Sequence, residues 1–258
     1  MRRVATIIGL SALALIVGGI LAVISLTAND LPNSEHRYEA KRNLITAIDY
    51  GDVGAVEKIL SENKLDLNTV YAEYGDSLFV YTLAMHCSNP YPIYKLLIKY
   101  GEDVNQKDEN GKTAIGAVSN HGNYELYQLL IENGAQISNP DDYLGFAARG
   151  GNMEIIKDLI NRGAHVNISG VPYYMMPLHM VRDADVADYL INSGADVNAV
   201  DNKGQTPLHT AIPESHKQVI TILLAYGADT TKVDNENLSP VDVAKRLGYY
   251  DIVKMLEE

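Results

Sequence analysis

The sequence predicts an all-α solenoid, a stack of about seven helix–turn–helix units, standing behind one N-terminal membrane helix. Three observations carry that expectation. A five-residue phrase, complete at Gly194-Ala195-Asp196-Val197-Asn198, recurs with its glycines at 101, 134, 163, 194 and 227, spaced 33, 29, 31 and 33 residues apart. An apolar pair precedes each glycine (Leu96-Leu97, Leu129-Leu130, Leu159-Ile160, Leu190-Ile191, Leu223-Leu224). That is how a helix ends on a residue free to take positive φ. Ahead of the array, no charged residue occurs from Val4 to Ala28. Self-similarity at a fixed period of this length marks a repeat array rather than a single globular core.

Taken in chain order, the first element is that uncharged run. As a helix it covers about 37 Å at roughly 1.5 Å per residue, enough for a hydrocarbon core of about 30 Å. Arg2 and Arg3 hold its start in the cytoplasm and place the remainder outside. A cleaved secretory signal is the alternative. It expects an apolar core of about 7 to 15 residues and a small-residue cleavage site. Ala12-Leu13-Ala14 comes too early for one, and Leu26-Thr27-Ala28 has Leu where a small residue is preferred. Residues 1–28 are therefore expected to be an anchor, residues 29–39 a polar linker reaching at most about 35 Å, and residues 40–258 the repeat domain.

Within that domain a second phrase opens each helical pair, complete at Thr206-Pro207-Leu208-His209-Thr210-Ala211. Thr206 can cap the helix, and Pro207 suits the first turn, where a missing N–H costs nothing. A third phrase, Gly51-Asp52, Gly122-Asn123 and Gly151-Asn152, opens the outer helices. Together these phrases resemble the ankyrin repeat over about residues 40 to 258, with units starting near Ala40, Thr69, Gln106, Asn139, Ile168, Ala199 and Lys232. The resemblance implies helical pairs with projecting β-hairpin fingers, a protein-binding role without catalysis or cofactor, and a structural part for Thr206, Pro207, Leu208 and His209. Pro177, Leu178 and His179 match the same motif in the fifth unit. The end units should be polar caps.

The array departs from its own register at three places. The last asparagine of the glycine phrase normally precedes the capping threonine by eight residues, as from Asn105 to Thr113 and Asn198 to Thr206. Ser138 to Asp142 is only four, so the fourth finger is deleted. Asn167 to Met176 is nine, and that unit then loses three residues before Gly194. The second unit instead gains four between its helices, at His86 to Pro92. In the long fifth finger, Tyr173, Tyr174, Met175 and Met176 stand where polar residues are regular. Two readings compete: Met176 replaces the capping threonine while Tyr174 and Met175 fill the gap of the missing finger, or the cluster forms an apolar docking tip. Tyr71 and Tyr74 lie on the second finger, where rigid aromatics suit a binding surface. Asp108, Glu109, Asp201, Asn202 and Lys203 complete the expected partner-binding row along the fingers.

Net charge is −12, and without the segment holding only Arg2 and Arg3 the remainder carries −14. That disfavours nucleic acid, whose phosphates are bound by Lys and Arg, and favours a basic protein partner. The single cysteine, Cys87, forms no internal disulfide; beside His86 it has no implied acid partner or oxyanion donor. No Cys/His cluster has metal-ligand spacing, and Asn110-Gly111-Lys112-Thr113 lacks the first glycine of a phosphate loop. The chain resembles exported bacterial immunity proteins of the ankyrin class, which occlude toxins such as phospholipases. The alternative is an envelope scaffold or stress-response partner of an enzyme such as catalase. Either is expected at the inner membrane with its repeats in the periplasm, or soluble there after cleavage, and monomeric when unbound.

Overall fold

The computed structural model describes residues 30–62, 65–68, 75–84, 89–168 and 175–258. Helix α1 spans Asp30–Asp49 and buries Ala40, Leu44, Ile45, Ala47 and Ile48, the spacing of one helix face. Residues 30–39, expected as a linker, are helical and continuous with the first repeat. Pro32 falls in the first turn, where it is tolerated, and Glu35, Arg37, Glu39 and Lys41 are good helix formers. Gly51, at φ 64°, turns the chain into α2, Val53–Glu62. Among the described residues no helix is long and apolar enough to cross a membrane. The span expected over residues 4–28 lies outside them.

The second unit pairs α3 (Leu78–Ala84) with α4 (Tyr91–Lys99). Six of the seven α3 residues, Leu78 to Leu83, are buried, because an inner helix of a stack is covered on both sides by its neighbours. Tyr94 is fully buried and donates its hydroxyl to Phe79 O at 2.6 Å; burial, then the nearby Glu102, pushes its pKa well up. Tyr81 is buried as well, whereas Tyr91 and Tyr100 are half-buried.

The third unit pairs α5 (Ala114–His121), capped by Thr113, with α6 (Tyr124–Glu132), capped by Asn123. The fourth pairs α7 (Asp141–Gly150) with α8 (Met153–Asn161), capped by Asn152. Among its described residues the fifth has no inner α-helix. The three missing residues reduce it to one 3-10 turn, Pro177–Met180, followed by α9, Ala184–Asn192, whose first amides are capped by Asp183. The sixth pairs α10 (Pro207–Ala211) with α11 (Lys217–Ala225), and the seventh α12 (Pro240–Leu247) with α13 (Tyr250–Glu257). The described residues thus form seven units, with one core cluster among them running from Leu44 to Leu256. The last unit carries ion pairs Lys245–Glu257 and Lys254–Glu258 on its surface, as a polar cap requires.

The β-hairpin fingers implied by the family resemblance are not found: the described residues contain no strand. Each regular finger is closed by two backbone bonds on its aspartate: Asp108 N–H to Lys112 O (2.9 Å) with Gly111 N–H to Asp108 O (2.9 Å), Asp201 to Gln205 with Gly204 to Asp201 (both 3.0 Å), and Asp234 to Leu238 with Asn237 to Asp234 (both 3.0 Å). Bonds that all return to one residue make a turn, not a ladder of strand pairs. The rest of the finger's hydrogen bonding goes to side chains and to the neighbouring finger.

Candidate protein-interaction surface

The first residue of each regular finger is an aspartate that folds the finger around itself. Asp108 Oδ1 accepts from Asn110 N–H (2.8 Å) and Lys112 N–H (2.7 Å). Asp201 does the same with Lys203 and Gln205, and Asp234 with Glu236 and Leu238. These are Asx turns. Asp108, expected as a partner contact, is therefore 8% exposed, and Asp201 is half-buried. The tips remain open: Glu109, Asn202 and Lys203 are exposed. They also bind neighbouring fingers, through Glu109 N–H to Gly75 O (3.0 Å) and Asn235 N–H to Lys203 O (2.9 Å).

The helix-opening motif knits the units together. His209 Nδ1 accepts from Thr206 N–H at 3.1 Å, which leaves the proton on Nε2, 3.0 Å from Leu238 O of the next finger. Pro207 and Leu208 are buried beside it. His179 repeats half of this, with Nε2 2.9 Å from Gln205 O and with Pro177 and Leu178 buried. Its Nδ1 finds no partner among the described residues; Met176 lacks the hydroxyl that in the sixth unit, as Thr206 Oγ1, lies 2.8 Å from His209 Nδ1. Burial lowers the His179 pKa and keeps the ring neutral.

Met175 and Met176 are half-buried. Met175 and Met180 lie beside α7, where a Cβ on Gly145 would meet Met180 Sδ at 3.0 Å and Met175 O at 3.9 Å. Both thus stand against the helix left bare by the missing finger. Tyr71, Tyr74, Tyr173 and Tyr174 lie outside the described residues, as do His86 and Cys87.

One recurrent device was not anticipated from the sequence. Where an asparagine closes the phrase, it is a bidentate staple to the next repeat. Asn105 Nδ2 donates to Gly134 O (3.0 Å) while its Oδ1 accepts from Gln136 N–H (2.8 Å). Asn167 holds Gly194 and Asp196, and Asn198 holds Gly227 and Asp229. Asn68 grips Gly101 and Asp103 likewise. Ser138 is too short to continue the row. There Asp141 takes over, accepting His165 N–H at 2.6 Å. The recurrence of Asn at the end of the phrase, at Asn68, Asn105, Asn167 and Asn198, was the available clue.

Among the described residues no three His, Cys, Asp or Glu side chains are grouped to hold a metal ion. Thr113, at the end of the glycine-lysine stretch, accepts from Gly116 N–H and caps α5. What the surface offers is a row of loops whose interior carboxylates and amides are committed to structure and whose tips face solvent.

A family model for ankyrin repeats, in three copies, matches residues 81–170 and again 176–258. The break between the two matches falls within the irregular fifth finger. The chain is similar to the ankyrin repeat protein FPV244 of Fowlpox virus, at 34% identity over 46% of this chain and 18% of that protein. It is also similar to the Neurogenic locus Notch protein of Drosophila melanogaster, at 33% over 36% and 3%. Rabankyrin-5 of Homo sapiens is 25% identical over 60% and 14%. The chain therefore spans less than one fifth of the length of any of these three relatives.

Proposed function

The chain belongs to the ankyrin-repeat family, and from that premise we propose that this protein-interaction module is tethered to a membrane through residues 4–28 and acts by covering its partner. The partner is a basic protein, and the role proposed is immunity: occlusion, one to one, of a toxin such as a phospholipase in the bacterial periplasm.

The observation that supports this reading most is the break in the finger row. Every regular finger is a polar Asx turn, whereas the fifth unit sets Met175 and Met180, both half-buried, against α7 where the fourth finger is missing. Methionines adapt to irregular partner surfaces. The −14 carried outside the N-terminal segment accelerates encounter with a positive partner.

Replacing Tyr173, Tyr174 and Met175 together by Ser tests the site. Partner affinity should fall by at least about 2 kcal/mol, the usual hot-spot threshold, while the melting temperature stays near that of the parent. A destabilised variant whose folded fraction binds normally would reassign these residues to packing. Capture from membranes with the intact chain identifies the partner, and recovery of an envelope enzyme in place of a toxin would make the protein a scaffold. A phosphatase reporter placed after Glu258 should be active if the repeats lie outside the cytoplasm.

A further inference from the structure

The finger junctions can be compared with one another inside the molecule. Between the sixth and seventh units, Asp234 takes its own finger's amides, and the Gln205 side chain of the preceding finger hydrogen-bonds the same carboxylate. Between the second and third units the equivalent aspartate is Asp108, and the position of Gln205, the residue just ahead of the helix-opening Thr206, is occupied by Asp76, just ahead of Ser77. Gly75 contributes its carbonyl to Glu109 N–H. Asp76 brings a second carboxyl within hydrogen-bonding reach of Asp108. Asp108 is 8% exposed, and its Oδ2 has no hydrogen-bond partner among the described residues.

A buried acceptor facing a second acceptor is unstable unless something between them donates. The Asp108 carboxylate disfavours the ionised form of Asp76 beside it, whereas a proton on Asp76 satisfies both groups. We propose that Asp76 and Asp108 share a proton, with protonated Asp76 donating to Asp108 Oδ2, so that the junction of the second and third fingers is a latch that closes on acidification. The other charged groups facing Asp76 are Glu109, which disfavours its ionised form, and Lys112, which favours it; both belong to the third finger. Burial, then Asp108, raises the Asp76 pKa above its ordinary 3.8. The stabilisation is therefore fully present below that ordinary value and is lost as pH rises through the raised one. The latch is independent of what the surface binds.

Melts of the full chain between about pH 3 and about pH 8 test it. In Asp76→Asn the amide donates at every pH. That variant should melt about 2 to 4 °C above the parent at neutral pH, and the gap should close on acidification. Asp76→Ala relieves the repulsion without supplying a donor, and should fall below the parent at the acid end. Glu109→Gln removes a neighbouring charge outside the pair and should keep the parent's acid-side rise. Asp76→Asn following the parent at all pH would overturn the latch. So would Asp76→Ala matching Asp76→Asn throughout, or loss of the acid-side rise in Glu109→Gln.

Discussion

Asn198 joins two repeats with one side chain, giving to Gly227 O and taking from Asp229 N–H. Those backbone groups sit just past the C-terminus of α11, where carbonyls have no intrahelical partner. An apolar replacement leaves both unpaired. Asn198→Ala should cost about 1 to 2 kcal/mol in a denaturant titration, and Ser138, which already lacks the reach, marks where the same change is tolerated naturally. The capping position of the fifth unit offers the opposite experiment. Met176 has φ −70° and ψ 155°, close to Thr206 at −85° and 166°, but it carries no oxygen for the first turn. Met176→Thr should raise stability by about 1 kcal/mol, the usual worth of a cap. The rise should disappear if His179 is also replaced by Ala, because the new hydroxyl is aimed at the orphaned Nδ1.

At the scale of the element, the turns between inner and outer helices decide how closely neighbouring units approach. Gly122, at φ 64°, ends α5, and Gly150 lies in the last turn of α7 against it. A Cβ on Gly150 would collide with Ser119 O, and one on Gly122 with Gly150 O. Both obstacles are backbone, which cannot rotate away. Gly150→Ala should therefore destabilise the chain by about 1 to 3 kcal/mol, the range for overpacking, although alanine is ordinarily the better helix former. A thermal melt that shows gain or no change would contradict this approach of α5 and α7. The fifth unit adopts the other solution to a short connection. With its inner helix cut to a 3-10 turn, Val181 to Asp183 run extended to the cap of α9, and Val181 stays buried at 4%.

For the molecule as a whole, each unit touches mainly its neighbours, so stability is a sum of unit terms and interface terms. Leu208 is fully buried between the sixth inner helix and its neighbours. Leu208→Ala should cost about 2 to 5 kcal/mol and broaden the unfolding transition as the last two units uncouple from the rest. A loss below about 0.5 kcal/mol would place Leu208 outside the core. Surface ion pairs such as Lys99–Glu57 add little to this balance, since both partners are more than half exposed.

Period, unit count and the capped or glycine-ended helix termini were determined by the sequence itself, because glycines at positive φ, capping Thr, Asn and Asp, and apolar pairs are local requirements of the backbone. The missing fourth finger and the shortened fifth unit followed from counting residues between those marks. What only the tertiary structure decided is where shared groups go. Asp108 and Glu109 are adjacent and equally acidic in the sequence, yet one is buried in its own turn and the other stands on the tip. Asn198 reads as a loop residue until the next repeat places two unpaired backbone groups against it. The helical state of residues 30–39 likewise depends on continuity with a helix whose apolar face is already anchored in the stack. Local chemistry fixes which residue can turn or cap the chain; whether a polar side chain is spent on its own backbone, on the adjacent repeat or on solvent depends on what lies across the interface, about thirty residues away in the sequence.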